Sequence, residues 1–250
     1  MGPLTQPFDY AMVAASRQIQ GGTAGRLAEG HADRLTRAMR VTKFEHATLT
    51  LIDAGKTLVI DPGSFTAPLI DLAGTVAVVI THEHPDHWTP DHLDRIRKAV
   101  PDVPIYGPEG VARAAAGYDV IAVQPGETVD VDPFRLEFFG GKHAVIHETI
   151  PVVDNVGVLV NDVFYYPGDS YAVPKGADVK LLAAPVGAPW LKIGEAMDFV
   201  LAVAPRQAFG THDMTLSVIG RDMGRVRLRW AVEQDGGEFL ALDPGDSADI

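Results

Sequence analysis

Between residues 80 and 88 the chain reads ITHEHPDHW, which sets three histidines and two acids within seven positions, His82 to Trp88. Imidazole and carboxylate together suit a borderline cation such as zinc, and also iron or manganese. Buried without a cation or dense hydrogen bonding, such groups would cost several kcal/mol. In a strand His82 and His84 point to the same side, because side chains alternate. A lone histidine at a strand end is ordinary. An H-x-H-x-D-H run directly after the apolar TVAVV (75–79) is a metal-ligand pattern.

Such a cluster needs a rigid scaffold, and the flanking sequence predicts one. VAVVIT (76–81) is a continuous β-branched run, as expected of a strand covered on both faces. TLTLID and KTLVID, joined at AG, read as a hairpin. TPDHLDRIRKAV (89–100) predicts a helix with Thr89 as N-cap and Pro90 at its first position. VPIYG reads as a strand, PEGVARAAAG as a helix closed by Gly117, and DVIAV as a further strand. The second half repeats the theme: ETVDV and FRLEFFGG are strands, and VGVLVNDVFYYPGD is a hairpin turning at ND. VKLLAAPVG is a strand, KIGEAMDFVLAVA (192–204) an amphipathic helix, and RQAFGTHD a strand and loop. A helix near 215–233 and a final strand, EFLALD, complete the chain. Strands joined by both hairpins and helices predict mixed sheets with helices packed outside, an α/β (α+β) class. Residues 39–250 read as one domain. Residues 1–38, rich in Ala, Gly, Arg and Gln, read as an N-terminal extension, helical or mobile, and Met39 is a candidate translation start.

Composition narrows the classes of function. A net charge of −12 argues against a nucleic-acid partner, since phosphate neutralisation needs clustered Lys and Arg. The densest basic stretch, GRDMGRVRLRW (220–230), reads as the solvated face of the late helix. No stretch approaches the roughly 20 apolar residues that span a bilayer. The start of the chain lacks a basic segment followed by an apolar run, so no secretory signal is read and a cytoplasmic location is expected. Cysteine is absent, which excludes disulfides and thiolate ligands or nucleophiles.

THEHPDHW resembles the signature of the metallo-β-lactamase-fold hydrolases, and later segments match the family's remaining ligand positions in order. The resemblance implies a four-layer αββα sandwich of two mixed β-sheets flanked by helices, with two metal ions at one edge. It implies that His82, His84 and His143 (in FFGGKHAVIH) bind the first metal, and Asp86, His87 and His212 (in FGTHD) the second. Asp169, in YYPGDS, would bridge them, and Asp86 would also orient the hydroxide that the two metals share. HAVIH, YYPGDS, GEAMDFVLAVAPRQAFGTHD and TKFEHATLTLIDAGKTLVIDPG together look like the branch with the ascorbate-phosphate lactonases and the N-acyl phosphatidylethanolamine phospholipase D. The implied activity is hydrolysis of a small-molecule ester, lactone or phosphodiester. The implied cofactors are two divalent ions, Zn2+ first, with Mn2+ or Fe able to bind the same set. Alternatives are an RNA or nucleotide phosphodiesterase, an iron-dependent oxidoreductase of the same fold, and a non-catalytic metal-binding relative. A homo-oligomer is left open.

Around this set, Asp61 in VIDPG is expected to orient a ligand histidine from behind. His46 and His147 are candidates for the same supporting layer, with a purely structural role preferred for each. Glu83 is expected to face solvent, His92 to lie on the helix surface, and Trp88 and Trp190 to serve core packing.

Overall fold

Ala54 (φ 54°) and Gly55 (φ 73°) both take left-handed conformations, the pairing that lets a two-residue turn match the right-handed twist of its strands. They join β2 (Leu49–Asp53) to β3 (Lys56–Ile60). Asn161 (φ 51°) and Asp162 (φ 61°), likewise left-handed, turn the chain between β9 (Asp154–Val160) and β10 (Phe164–Tyr166), where the Val163 amide donates to the Val160 carbonyl (3.1 Å). The computed structural model describes residues 38–250, so the expected N-terminal extension lies outside the described residues except for Ala38.

The other strands are β1 (Arg40–Lys43), β4 (Thr75–Val79), β5 (Ile105–Gly107), β6 (Ile121–Ala122), β7 (Thr128–Val131), β8 (Phe134–Lys142), β11 (Leu181–Pro185), β12 (Gln207–Thr211), β13 (Glu238–Phe239) and β14 (Ser247–Asp249). They form two seven-stranded sheets, in the orders β14-β1-β2-β3-β4-β5-β6 and β13-β12-β11-β10-β9-β8-β7. Each sheet is antiparallel in one half and parallel in the other. Most parallel neighbours need a helical crossover. Helices α1 (Pro90–Ala99) and α2 (Glu109–Ala114) supply it in the first sheet, α3 (Ile193–Val203) and α4 (Val218–Glu233) in the second.

Alternation along the strands builds the layers. In β8, Phe134, Leu136 and Phe138 point into the inter-sheet core with Leu51, Leu58, Ile60, Val158 and Tyr166. Strand β11 is buried on both faces: Leu181 and Ala183 join that core, while Leu182 and Ala184 lie under α3 and α4 with Phe199, Val200 and Leu228. Strand β4 divides in the same way, with Ala77 and Val79 inward and Val78 under α1 with Leu93 and Ile96. The result is the αββα sandwich that the resemblance implied. No described helix is long and apolar enough to cross a membrane.

Several elements differ in extent from their sequence reading. The helix expected to close at Gly117 ends at Ala114, followed by a 3-10 turn at Ala116–Tyr118. EFLALD pairs over Glu238–Phe239 alone. The C-terminal Ser247–Asp249, which no apolar run marks, pairs with β1 at a sheet edge. Helix α1 begins as expected, with Thr89 Oγ1 accepting from the His92 amide (3.2 Å). His92 itself is buried, against the surface position expected for it, with Nε2 3.3 Å from the Thr66 carbonyl.

Truncating Phe138, which is fully buried between the sheets, should cost about 3–5 kcal/mol. Urea unfolding of Phe138→Ala should show a lowered midpoint with an unchanged slope.

Candidate metal centre

Six strands, three in each sheet, run in one direction within their sheet and end at the same cluster. From the first sheet, the residues after β1 supply His46, those after β3 supply Asp61, and those after β4 supply His82, His84, Asp86 and His87. From the second, His143 follows β8, Asp169 follows β10 and His212 follows β12. Carboxyl ends of strands are where α/β sheets leave room for ligands.

Asp169 is the hub. Its Oδ2 lies 3.1 Å from His212 Nε2, 3.3 Å from His143 Nε2 and 3.9 Å from His82 Nε2, and its Oδ1 lies 3.3 Å from His87 Nε2. The side chains form three overlapping groups, each with ligand atoms within 4.8 Å of one another. One is His82, His84 and His143; one is His82, His87 and Asp169; one is His46, Asp86, His87 and His212. The structure therefore brings together all seven residues expected as metal ligands.

The donor atoms fit a cation. His87 Nε2, His143 Nε2, His212 Nε2 and Asp169 Oδ1 are buried and make no hydrogen bond within the protein. Each such group costs about 1–3 kcal/mol if nothing meets it. The opposite ring nitrogens are occupied. His212 Nδ1 donates to the Gly187 carbonyl (2.6 Å) and His143 Nδ1 to the Ala144 carbonyl. A carbonyl can only accept, so Nδ1 carries the proton and, in the neutral ring, Nε2 turns a lone pair toward Asp169. His87 Nδ1 meets Asp61 Oδ2 at 2.6 Å, with the same consequence. Asp61 is fixed in turn by the Thr81 amide and hydroxyl, each at 2.7 Å.

His46 is different. The Met214 amide donates to its Nδ1 (3.3 Å), which places the proton on Nε2, aimed at Asp86 Oδ2 (3.1 Å). Its ring therefore orients Asp86 and offers no lone pair to a metal. Burial lowers its pKa, which keeps it neutral. His46 (φ 59°), Asp61 (φ 47°) and His212 (φ 58°) are all left-handed, an unfavourable conformation that side-chain function concentrates at such sites. The His212 amide donates to the His46 carbonyl (2.8 Å), tying the two turns together. Behind them, Lys43 is fully buried with Nζ 3.2 Å from Asp213 Oδ2.

Electrostatically the cluster calls for positive charge. Although burial opposes it, Asp169 and Asp61 raise the pKa of His87 well above its ordinary value. His212 is pushed up to about 9, again against burial, chiefly by Asp169. Asp169 is held well below the usual carboxylate range, because His87 and His212 outweigh its burial. Burial drives His82 well down.

Residues 40–212 match the profile of the beta-lactamase superfamily domain. The Mycobacterium tuberculosis protein Rv0786c is 37% identical over 216 residues, covering 84% of this chain and 99% of its own. The chain belongs to the metallo-β-lactamase superfamily. Its fold is similar to Igni18, a metallo hydrolase from Ignicoccus hospitalis, with a TM-score of 0.66 at 18% identity over 85% of this chain and 98% of the other. It is also similar to CmlA, a diiron β-hydroxylase from Streptomyces venezuelae, with a TM-score of 0.64 at 15% identity over 86% and 54% of the respective chains.

This metallo-β-lactamase-superfamily site departs from its sequence reading at His147, Glu83 and Trp190. His147 does not reach the cluster: it is exposed, with Nδ1 2.8 Å from Thr149 Oγ1, because the segment after His143 runs out over the surface. Glu83 is half-buried against the Gly110 backbone rather than solvent-facing. Trp190, read as core packing, donates its indole N–H to Asp169 Oδ2 (2.9 Å) and stacks edge-on near His143. The Lys43–Asp213 pair was not anticipated, although alternation along β1 places Lys43 on the same inward face as Val41. Gly63 of VIDPG has a defined role: a Cβ there would overlap the Asp86 backbone carbonyl. Gly63→Ala should therefore displace the Asp86–His87 segment. Asp61→Ala should keep the fold, by circular dichroism, yet lower the affinity for Zn2+ or Co2+ by about 10–100-fold.

Proposed function

We propose that this chain is a dinuclear metal-dependent hydrolase that cleaves a small ester, lactone or phosphodiester, with esters and lactones foremost. The observation that carries this reading is the convergence of buried, unpaired imidazole nitrogens and a carboxylate oxygen on Asp169. His82, His84 and His143 would hold one ion and Asp86, His87 and His212 the other, with Asp169 shared between them. Zn2+ is the ion proposed, and Mn2+ or Fe would suit the same donors. Bound there, two divalent cations would polarise the scissile group and bring the pKa of water near 7.

The chain's own residues then have separate tasks. Asp86 orients the attacking water, its carboxylate steered by His46 and kept ionised, against burial, by His212 and His46. Asp61, through His87, and the carbonyls of Ala144 and Gly187, through His143 and His212, fix the imidazoles in the coordinating tautomer. Trp190 occupies a lone pair of Asp169 and closes that side to solvent. Phe65, Val145, Ile150, Val152 and Met214 are exposed on loops that also carry site residues. Phe65 packs its ring 4.8 Å from His46. This apolar rim favours a substrate with an uncharged, apolar acyl portion. No Ser or Cys nucleophile is required.

With metal content quantified, a panel of esters, lactones and phosphodiesters should reveal turnover in the wild-type protein. His82→Ala and Asp169→Ala should reduce it to background with loss of bound metal. Near-normal rates in either variant would remove that residue from the site.

The pH dependence of metal uptake follows from His212. With a pKa of about 9 in the metal-free protein, it is protonated near neutrality, and a cation must displace that proton. Affinity should rise with pH, by up to roughly tenfold per unit for each proton released, the His212 contribution ending above about pH 9 and His87 adding its own. Competition titrations with a chelator across this range read the slope. A slope left unchanged by His212→Ala would remove His212 from the ligand set.

A further inference from the structure

Helix α4 leaves a row of large apolar side chains in solvent. Ile219, Met223, Val226 and Trp230 are 74%, 66%, 55% and 48% exposed. Their spacing of four, three and four residues places them on one side of the helix, while Gly224, Arg225, Leu228, Ala231 and Val232 are buried on the other. The solvated face expected of this basic stretch is present at Arg227 and Arg229, and the apolar row shares it. Arg225 is buried against the Leu242 carbonyl (2.6 Å) and Asp243 (3.0 Å), and Arg221 also reaches Asp243 (3.2 Å). Arg227 and Arg229 are left to flank the apolar row.

We propose that this row is the contact face of a two-fold symmetric dimer, in which α4 packs antiparallel against α4 of a second copy of this chain. The alternating four- and three-residue spacing is that of a coiled-coil seam. Antiparallel pairing sets Ile219 against the second copy's Trp230 and Met223 against its Val226, and symmetry repeats both contacts. Charge fits the same register. Asp222 and Arg229, two turns apart on one flank, meet their counterparts in exchanged order, giving two Asp222–Arg229 pairs between copies. The opposite flank sets Arg227 beside Gly220, with no cation facing it. Arg229 is exposed, its guanidinium 5.8 Å from the Phe239 ring, and is free to turn toward the seam. A chain with net charge −12 repels its own copy over most of its surface. The exposed side of helix α4 sets Arg227 and Arg229 against Asp222 and Glu233, with Arg221 and Arg225 paired to Asp243, so this locally balanced patch opposes approach less. Exposed Met214 and Val218 extend the patch toward the turn that carries His212.

Sedimentation of the full chain over a wide concentration range tests this. The wild-type protein should dimerise, and Val226→Glu should be monomeric. Asp222→Arg and Arg229→Asp should each raise the dimer dissociation constant by about tenfold. The double variant Asp222→Arg/Arg229→Asp should restore wild-type association. All three positions are exposed, and an unchanged far-ultraviolet circular dichroism spectrum would show that the fold is kept. A wild-type monomer at every concentration would overturn the proposal, as would a dimer untouched by Val226→Glu. Rescue by Asp222→Arg/Arg227→Asp in place of the first pair would overturn the antiparallel register. Co-sedimentation of monomeric wild-type protein with phosphatidylglycerol vesicles, lost in Val226→Glu, would reassign the face to a lipid surface.

Discussion

Removing a carboxylate from water costs several kcal/mol unless opposite charge and hydrogen bonds replace the water. Asp169 is 2% exposed, and one of its oxygens finds no hydrogen bond within the protein. Around it stand four imidazoles whose other nitrogens are already committed to Asp61, Thr81 and two backbone carbonyls. The site is thus a set of fixed dipoles and charges facing one small volume. Protons on His87 and His212 can balance Asp169 in part, and cations can do so without those protons.

Meeting that requirement explains the local irregularities nearby. Three site residues accept left-handed backbone conformations, and Gly63 and Gly168 are glycine because Asp86 and Thr81 occupy the space a side chain would need. The two turns bearing His46 and His212 share a backbone hydrogen bond and rest on the buried Lys43–Asp213 pair. Taking one partner from such a pair strands the other charge, which makes it a brittle support as well as a rigid one.

Much of this was legible in the sequence where signals are local. The β-branched run before His82, the AG and ND turns and the cap at Thr89 each reflect a short-range preference, and each element lies where its signal stands. His143, Asp169 and His212 carry no such signal. Each is one polar residue after an apolar run, and their convergence is a property of two sheets meeting, visible beforehand only through family likeness. Trp190 and Lys43 were missed because nothing in their neighbours states what lies across the core. DVIAV and EFLALD are marked as strands, but their pairing over only two residues each, at β6 and β13, and the C-terminal β14 are set by the adjacent strand. His92 was misplaced because a helix position one residue from Leu93 can face either way.

The ligand atoms come from both sheets and span His82 to His212, in a chain with no cysteine to cross-link its halves. An ion bound only by the folded arrangement adds RT ln(1 + [L]/Kd) to its stability, about 4 kcal/mol at a thousandfold excess over Kd. For this protein, survival against heat and proteases would then track the free metal of its surroundings, so scarcity would shorten its lifetime before it starved its chemistry.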